Sequence, residues 1–403
     1  MAEGLNVLNE GEPPGGLTKW EATAWRRLYN RLHAQGYQLR DRYRPGWIPS
    51  WTEKGVQFAT VLERHLESEF EDAIPNDESH RVMDATRIAD GSQVILKILV
   101  PSSADKEEDE LTANRLLSSE PAASHPHNHC LRMLEEIDLD DFGLQIIVFP
   151  LYRPWFDPPL HLVAEVIPFV DQLLEGLSFL HDLNIAHGDI KCLNVLMDPS
   201  PLYPRGFNPL KIGRYARPYS LHDPPPECTR LSAKMRYVYI DFGACQIFDS
   251  AEARAAVPYK GKGTFVAPEV RVAGSTDVIG NGVTGRMYDP FPYDIWLLAK
   301  LFIDLGLYKC IAAMRPLIQA MYADDPASRP TARQCLDGFR AIVPTISWGM
   351  LARIPNPMVT IYFTPRSWAE AFMGPRRAAD AKEYLHRLID FLVRTDGVPR
   401  LEL

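Results

Sequence analysis

The sequence predicts an α+β chain, on three observations. Val82 to Ile88 and Gln93 to Val100 alternate like strands, joined by a turn at Ala89-Asp90-Gly91-Ser92. Leu144-Gln145-Ile146-Ile147-Val148-Phe149 reads as a further, apolar strand. His161 to His181 is amphipathic, with Val166, Phe169, Val170, Leu173, Leu174, Leu177 and Leu180 in one helical stripe.

Other elements flank these. Residues 1–18 are rich in Gly, Glu, Pro and Asn and are expected to be disordered. Residues 19–36 read as a helix, because Trp20, Ala24, Leu28 and Leu32 recur at helical spacing and Gly36 marks its end. The aromatic and basic run Tyr37 to Trp51 could stack on nucleic acid, but packing of its rings onto the neighbouring lobe is the simpler expectation. A helix is expected from Ala104 to Ser118, and a final amphipathic one from Ala378 to Arg394. The Pro-rich stretch 199–230 reads as a surface insert without regular structure, a solvated loop or a polyproline ligand. A second insert lies between Glu269 and Asp294.

Composition narrows the class. The 403 residues carry 43 basic and 52 acidic side chains, a net charge of −9, which argues against a general nucleic-acid or anionic-membrane binder. Six cysteines stand singly with no Cys-x-x-Cys spacing, so neither a zinc site nor a disulfide framework is expected. Neither a signal peptide nor a membrane-length apolar run is seen, so a cytoplasmic or nuclear location is expected.

The chemistry is concentrated in His187-Gly188-Asp189-Ile190-Lys191-Cys192-Leu193-Asn194 and, downstream, Asp241-Phe242-Gly243. Phosphoryl transfer needs Mg²⁺ against nucleotide oxygens, carboxylate and amide oxygens to hold the metal, and a carboxylate to take the hydroxyl proton. Asp189 fits the proton acceptor, Asn194 and Asp241 the metal ligands, and Lys191 a charge beside the transferred phosphoryl. His187 reads as a structural residue beneath the loop.

With Val94-Ile95-Leu96-Lys97, Ala267-Pro268-Glu269, Asp294-Ile295-Trp296 and Arg329-Pro330 in the same order, the chain resembles the eukaryotic protein kinase family of Ser/Thr type from about Ile74 to Val343. The N-terminal segment and the His-Gly-Asp loop also resemble a divergent basidiomycete group of kinase-like proteins. The resemblance implies a two-lobed fold with a small β-rich lobe and a larger, mainly helical one. It implies ATP and Mg²⁺ as cofactors and a protein substrate. Lys97 would hold the nucleotide phosphates, Phe149 would be the gatekeeper, and Pro150, Leu151 and Tyr152 the adenine-contacting hinge. Pro150 has no N–H, so the hinge donor would come from Tyr152 or a neighbour. The acidic partner of Lys97 is expected at Glu110, although family spacing points nearer Thr112. Gly263-Thr264 would form a wall for the substrate, and Glu269 and Arg329 a buried ion pair. Lys191 is the mark of Ser/Thr specificity.

The implied boundaries are a leader at 1–18, an N-terminal extension at 19–73, a small lobe at 74–152, a large lobe at 153–343 carrying the insert 199–230, and a C-terminal extension at 344–403. Two departures from the family stand out. Gly188 replaces an arginine that clamps phosphorylated activation segments, so dependence on phosphorylation at Ser250, Tyr259 or Thr264 is not expected. The segment Ala73 to Val82 has no glycine where a phosphate-covering loop would have several. A kinase-like scaffold without catalysis and a small-molecule phosphotransferase are the alternative readings.

Overall fold

In a computed structural model of the chain, the described residues are 24–63, 70–73, 81–99, 106–139, 142–207, 226–250, 253–254, 256–260, 265–275 and 282–353. The leader, the glycine-less segment at 74–80, Gly263-Thr264 and the helix expected at 378–394 lie outside them. The described residues fall into two compact units. One holds the residues up to 107 together with 132–151, and the other holds 108–131, 152–207 and those from 226 onward.

The first unit is built on a five-stranded antiparallel sheet. Its strands are β1 (Tyr37–Gln38), β2 (Val82–Arg87), β3 (Gln93–Leu99), β4 (Glu135–Leu139) and β5 (Leu144–Pro150), in spatial order β1-β2-β3-β5-β4. Asp90 shapes the β2–β3 turn by accepting from the Ser92 N–H, with Gly91 at φ +72°. Period-two alternation gives the sheet two faces. Met83, Ala85, Val94, Leu96, Ile98, Ile146 and Val148 share one, and Ile95, Lys97, Ile147 and Phe149 stand on the other.

The first face is covered by the N-terminal segment. Helix α1 (Trp25–Ala34) buries Trp25, Leu28 and Leu32 in the same cluster as Tyr37, Tyr43, Trp47 and Trp51. Asp72 ties that segment down, accepting from the Trp47 indole N–H at 3.2 Å and the Ser50 N–H at 2.9 Å. These rings are core and cannot stack on bases; truncating one to alanine would cost about 3–5 kcal/mol.

The second unit is mainly helical. Helices α2 (Lys106–Ser118), α3 (Val163–Asp182), α4 (Pro290–Asp304), α5 (Arg315–Met321) and α6 (Ala332–Ile342) are its main elements. The α3 stripe is core, as its period requires, with Phe169, Leu173, Leu177 and Leu180 fully buried. Arg340 of α6 ties onto α3 through Asp171 at 2.9 Å and Glu175 at 2.6 Å. The start of α4 is set by Asp289, whose side chain accepts from the Phe291 N–H, with Pro290 at the first helical position. Short strands complete the unit: β6 (Arg153–Pro154), β8 (Val195–Met197) and β9 (Tyr237–Tyr239) form one antiparallel sheet, β7 (Ile185–Ala186) pairs with β10 (Gln246–Ile247), and β11 (Val257–Pro258) with β12 (Met287–Tyr288).

The described parts of the insert 199–230 carry no helix or strand, as expected, and they are partly solvated: Ser200, Pro204, Arg205, Glu227 and Thr229 are exposed, while Leu202, Tyr203, Phe207 and Arg230 are buried. The Arg153 guanidinium lies over the Tyr203 and Phe207 rings at 4.8 and 4.9 Å.

Candidate functional site

The loop between β7 and β8 brings three of the expected residues together. Asp189 Oδ2 accepts from Lys191 Nζ at 2.6 Å and from Asn194 Nδ2 at 3.0 Å, and Asn194 Nδ2 also donates to the Asp189 carbonyl at 2.8 Å. Both of these acceptors demand a donor, which fixes the Asn194 amide with Oδ1 turned away from Asp189. Two contacts on one oxygen also fix the rotation of the Asp189 carboxylate.

The loop's backbone is held from below. The fully buried Asp294 of α4 accepts from the His187 N–H at 2.6 Å and the Gly188 N–H at 2.8 Å, one on each carboxylate oxygen. His181 Nε2 lies 3.2 Å from the same carboxylate. His187 Nδ1 accepts from the Asp189 N–H, so its other nitrogen carries the proton donated to the Ile240 carbonyl at 3.1 Å. The ring therefore ties the loop to the segment that carries Asp241. The role of Asp294 was not foreseen from the sequence. Its signal was an acid flanked by Tyr293, Ile295 and Trp296 in an apolar helix, a residue that must find partners when buried.

Gly188 is where it is for a physical reason. Its φ is +81°, and a Cβ there would sit 2.3 Å from the Ala244 carbonyl oxygen. An arginine at this position would meet that oxygen with its first side-chain carbon.

Asp241 follows β9, and the Ile240 N–H still bonds the Asn194 carbonyl at 3.1 Å, so the two candidate metal ligands flank the paired strands β8 and β9, one just before β8 and one just after β9. Asp241 has φ +65° and is exposed, whereas Phe242 is buried beside His187 with ring centroids 5.0 Å apart. A Cβ at Gly243 would lie 3.3 Å from both Asp241 Oδ1 and Glu110 Oε2. Glycine thus leaves room beside residue 243 for two carboxylates, one on α2 and one on the turn. Among the described residues no group of three or more His, Cys, Asp or Glu is set to hold a metal. A Mg²⁺ ion here would rest on one carboxylate, one amide oxygen and the nucleotide itself. Hard oxygen donors of that kind fit it.

Of the remaining expected residues, Lys97 is on β3, in register with Val82 and Ile147. Phe149 is buried on β5, in register with Ile95. β5 continues through Pro150, so the strand outlasts its expected end by one residue. The Leu151 N–H is used by the Gln93 carbonyl at 3.2 Å. Burial, with Asp198 close by, pushes the Tyr152 phenol up to about 12. Lys97, Phe149 and Leu151 belong to the first unit, and Tyr152 and the loop residues to the second.

The chain downstream of Asp241 shows further pairings. Glu269 and Arg329 form a two-pronged ion pair at 2.7 and 2.8 Å, with Arg329 also donating to the Ala323 and Pro292 carbonyls. Tyr259 is buried, so of the three residues named for phosphorylation it is inaccessible as it stands. None of the six cysteines forms a disulfide. Burial pushes the Cys192 thiol, inside the loop, up to about 12, which argues against thiolate chemistry there.

No family model matches the chain. The chain is similar to the probable serine/threonine-protein kinase KKQ8 of Saccharomyces cerevisiae, in two strains, at 30% identity over 142 residues. That stretch is 34% of this chain and 13% of the length of the yeast protein. A third of the chain is therefore kinase-like in sequence, in a mixed helix-and-sheet structure with an antiparallel sheet. No described helix is long and apolar enough to cross a membrane.

Proposed function

We propose that the chain is a two-lobed protein kinase, of the divergent kinase-like group its N-terminal segment resembles, that transfers a phosphoryl group from Mg·ATP to Ser or Thr hydroxyls of a protein. The observation that carries this reading is the Asp189–Lys191–Asn194 cluster, joined through the β8–β9 pairing to Asp241.

Each residue has a role that its position supports. Asp189, its carboxylate fixed by Lys191 and Asn194, orients the acceptor hydroxyl and takes its proton. The Lys191 ammonium, 2.6 Å from that carboxylate, offsets negative charge that develops at the transferred group. Asn194 Oδ1 and the Asp241 carboxylate would hold Mg²⁺. Lys97, on the sheet face opposite the aromatic core, would hold the α- and β-phosphates, with Glu110 the acidic counterpart that the family resemblance implies. Phe149 borders the adenine. The Leu151 amide is already used by the Gln93 carbonyl, which leaves the hinge donor to Tyr152 or a later neighbour. When bound, Mg·ATP supplies the phosphoryl group and a metal charge on its oxygens.

Calorimetric titration with ATP tests the nucleotide part. Binding that requires Mg²⁺ and is weakened at least tenfold by Asp241→Ala and by Lys97→Met is the expected result. ATP binding indifferent to Mg²⁺ and to both substitutions, or no binding, overturns it. The yeast relative's name concerns a kinase of which this chain covers a small part, and the acceptor class here is the reading of Lys191 and the downstream landmarks.

A further inference from the structure

We propose that Arg230, in the Pro-rich insert, is a positioning residue for the loop that carries Asp189 and Asn194, acting through Trp155. What the loop does rests on the phosphotransferase reading; the brace itself does not.

Arg230 is 5% exposed and reaches four partners. It donates to the Trp155 carbonyl at 2.7 Å and to the Pro158 carbonyl. It also touches Tyr237 Oη at 3.1 Å and Met197 Sδ at 3.0 Å. These partners are not scattered. Met197 ends β8, the strand that leaves the loop, and Tyr237 begins β9, the strand that leads to Asp241. Trp155, fully buried, donates its indole N–H to the Cys192 carbonyl at 3.1 Å, within the turn Cys192–Asn194 itself. One guanidinium thereby grips the backbone that holds Trp155, and Trp155 grips the loop.

The choice of residue favours positioning over stability alone. Among the described residues, all four partners of this buried cation are neutral. Burying a charge among neutral partners is more expensive than filling the same space with an apolar side chain. What an arginine offers here is direction: a planar fork with fixed donor angles that joins three segments at once, the Trp155–Pro158 stretch, β8 and β9. The Trp155 ring adds rigidity, packed on Phe169 at 4.3 Å, which in turn meets Tyr237 edge-on at 5.1 Å.

Hydrogen–deuterium exchange of the full chain tests the brace without assuming any activity. Wild type is compared with Arg230→Met and with Trp155→Phe, which removes only the indole donor and part of the ring. In both variants the amides of 187–196 should exchange at least about fivefold faster, while those of α6 keep their wild-type rates. No change, a change in one variant only, or an equal change in α6 overturns the proposal. Should Arg230→Met not fold, Arg230→Lys takes its place, because a single ammonium cannot reach all four partners. Phosphoryl transfer is measured alongside: kcat should fall in both variants with the KM for ATP unchanged. A wild type without transfer counts against the phosphotransferase reading and leaves the exchange result to judge the brace.

Discussion

Replacing Gly188 by alanine probes the loop with the smallest possible change. The glycine has φ +81°, and left-handed backbone costs an L-residue about 1–2 kcal/mol. The added Cβ would lie 2.3 Å from the Ala244 carbonyl oxygen and 3.1 Å from its carbon. Ordinary contact needs roughly 1 Å more, and overpacking of that kind costs about 1–3 kcal/mol. Neither side yields easily. The Gly188 N–H is tied to Asp294 at 2.8 Å, and the Cys245 N–H that follows Ala244 is tied to the Phe242 carbonyl at 3.0 Å. The total is about 2–5 kcal/mol, a fall in melting temperature of about 5–15 °C for a unit of this size. Scanning calorimetry reads it. Ala244→Gly in the same background should not rescue it, because the obstructing atom is backbone. A Gly188→Ala variant melting within about 2 °C of wild type would refute the reasoning.

Three further outcomes follow from the geometry. Asp294→Asn leaves one acceptor oxygen for two backbone N–H groups and turns an amide donor toward one of them. It should cost about 2–4 kcal/mol in denaturant unfolding and quicken exchange at His187 and Gly188; wild-type exchange there would remove Asp294 from its role. Arg329→Ala strands the Glu269 carboxylate and should cost about 3–5 kcal/mol, so equal melting temperatures would sink the ion pair's structural role. Burial opposes ionisation of Glu175, but hydrogen bonds from His129 and Arg340 outweigh it and hold the carboxyl down at about 2. Its contribution is therefore complete above the ordinary value of 4.5 and is lost as pH falls toward 2. Acid titration of Glu175→Gln should be flatter than wild type across that window, and parallel curves would contradict the assignment.

The parts of the fold that were legible in the sequence are those with a strong period. The α3 stripe and the β2–β3 hairpin each bury one face, and that demand leaves its mark in residue order. β4 was not legible because Glu135-Glu136-Ile137-Asp138-Leu139 is mostly acidic, as an edge strand can be. β1 is two residues long and has no period to read. The loop residues Asp189, Lys191 and Asn194 could be named because their chemistry is local, within six positions of one another. Asp294 and Arg230 act from about 106 residues downstream of Gly188 and 75 downstream of Trp155, so nothing near the loop announces them. The buried stem of the insert was hidden for the same reason: its prolines signal a loop, while Arg153, which holds Tyr203 and Phe207, lies far upstream.

The account turns on whether Asp189 works on an acceptor hydroxyl. The most direct measurement is transfer of labelled phosphate from Mg·ATP to a mixed protein substrate and to the chain itself, in wild type and Asp189→Asn. Asparagine keeps the shape of the side chain but cannot take the proton. Label on Ser or Thr that falls at least about a hundredfold in the variant is the predicted result. Equal labelling by both proteins, or none by the wild type, would contradict it.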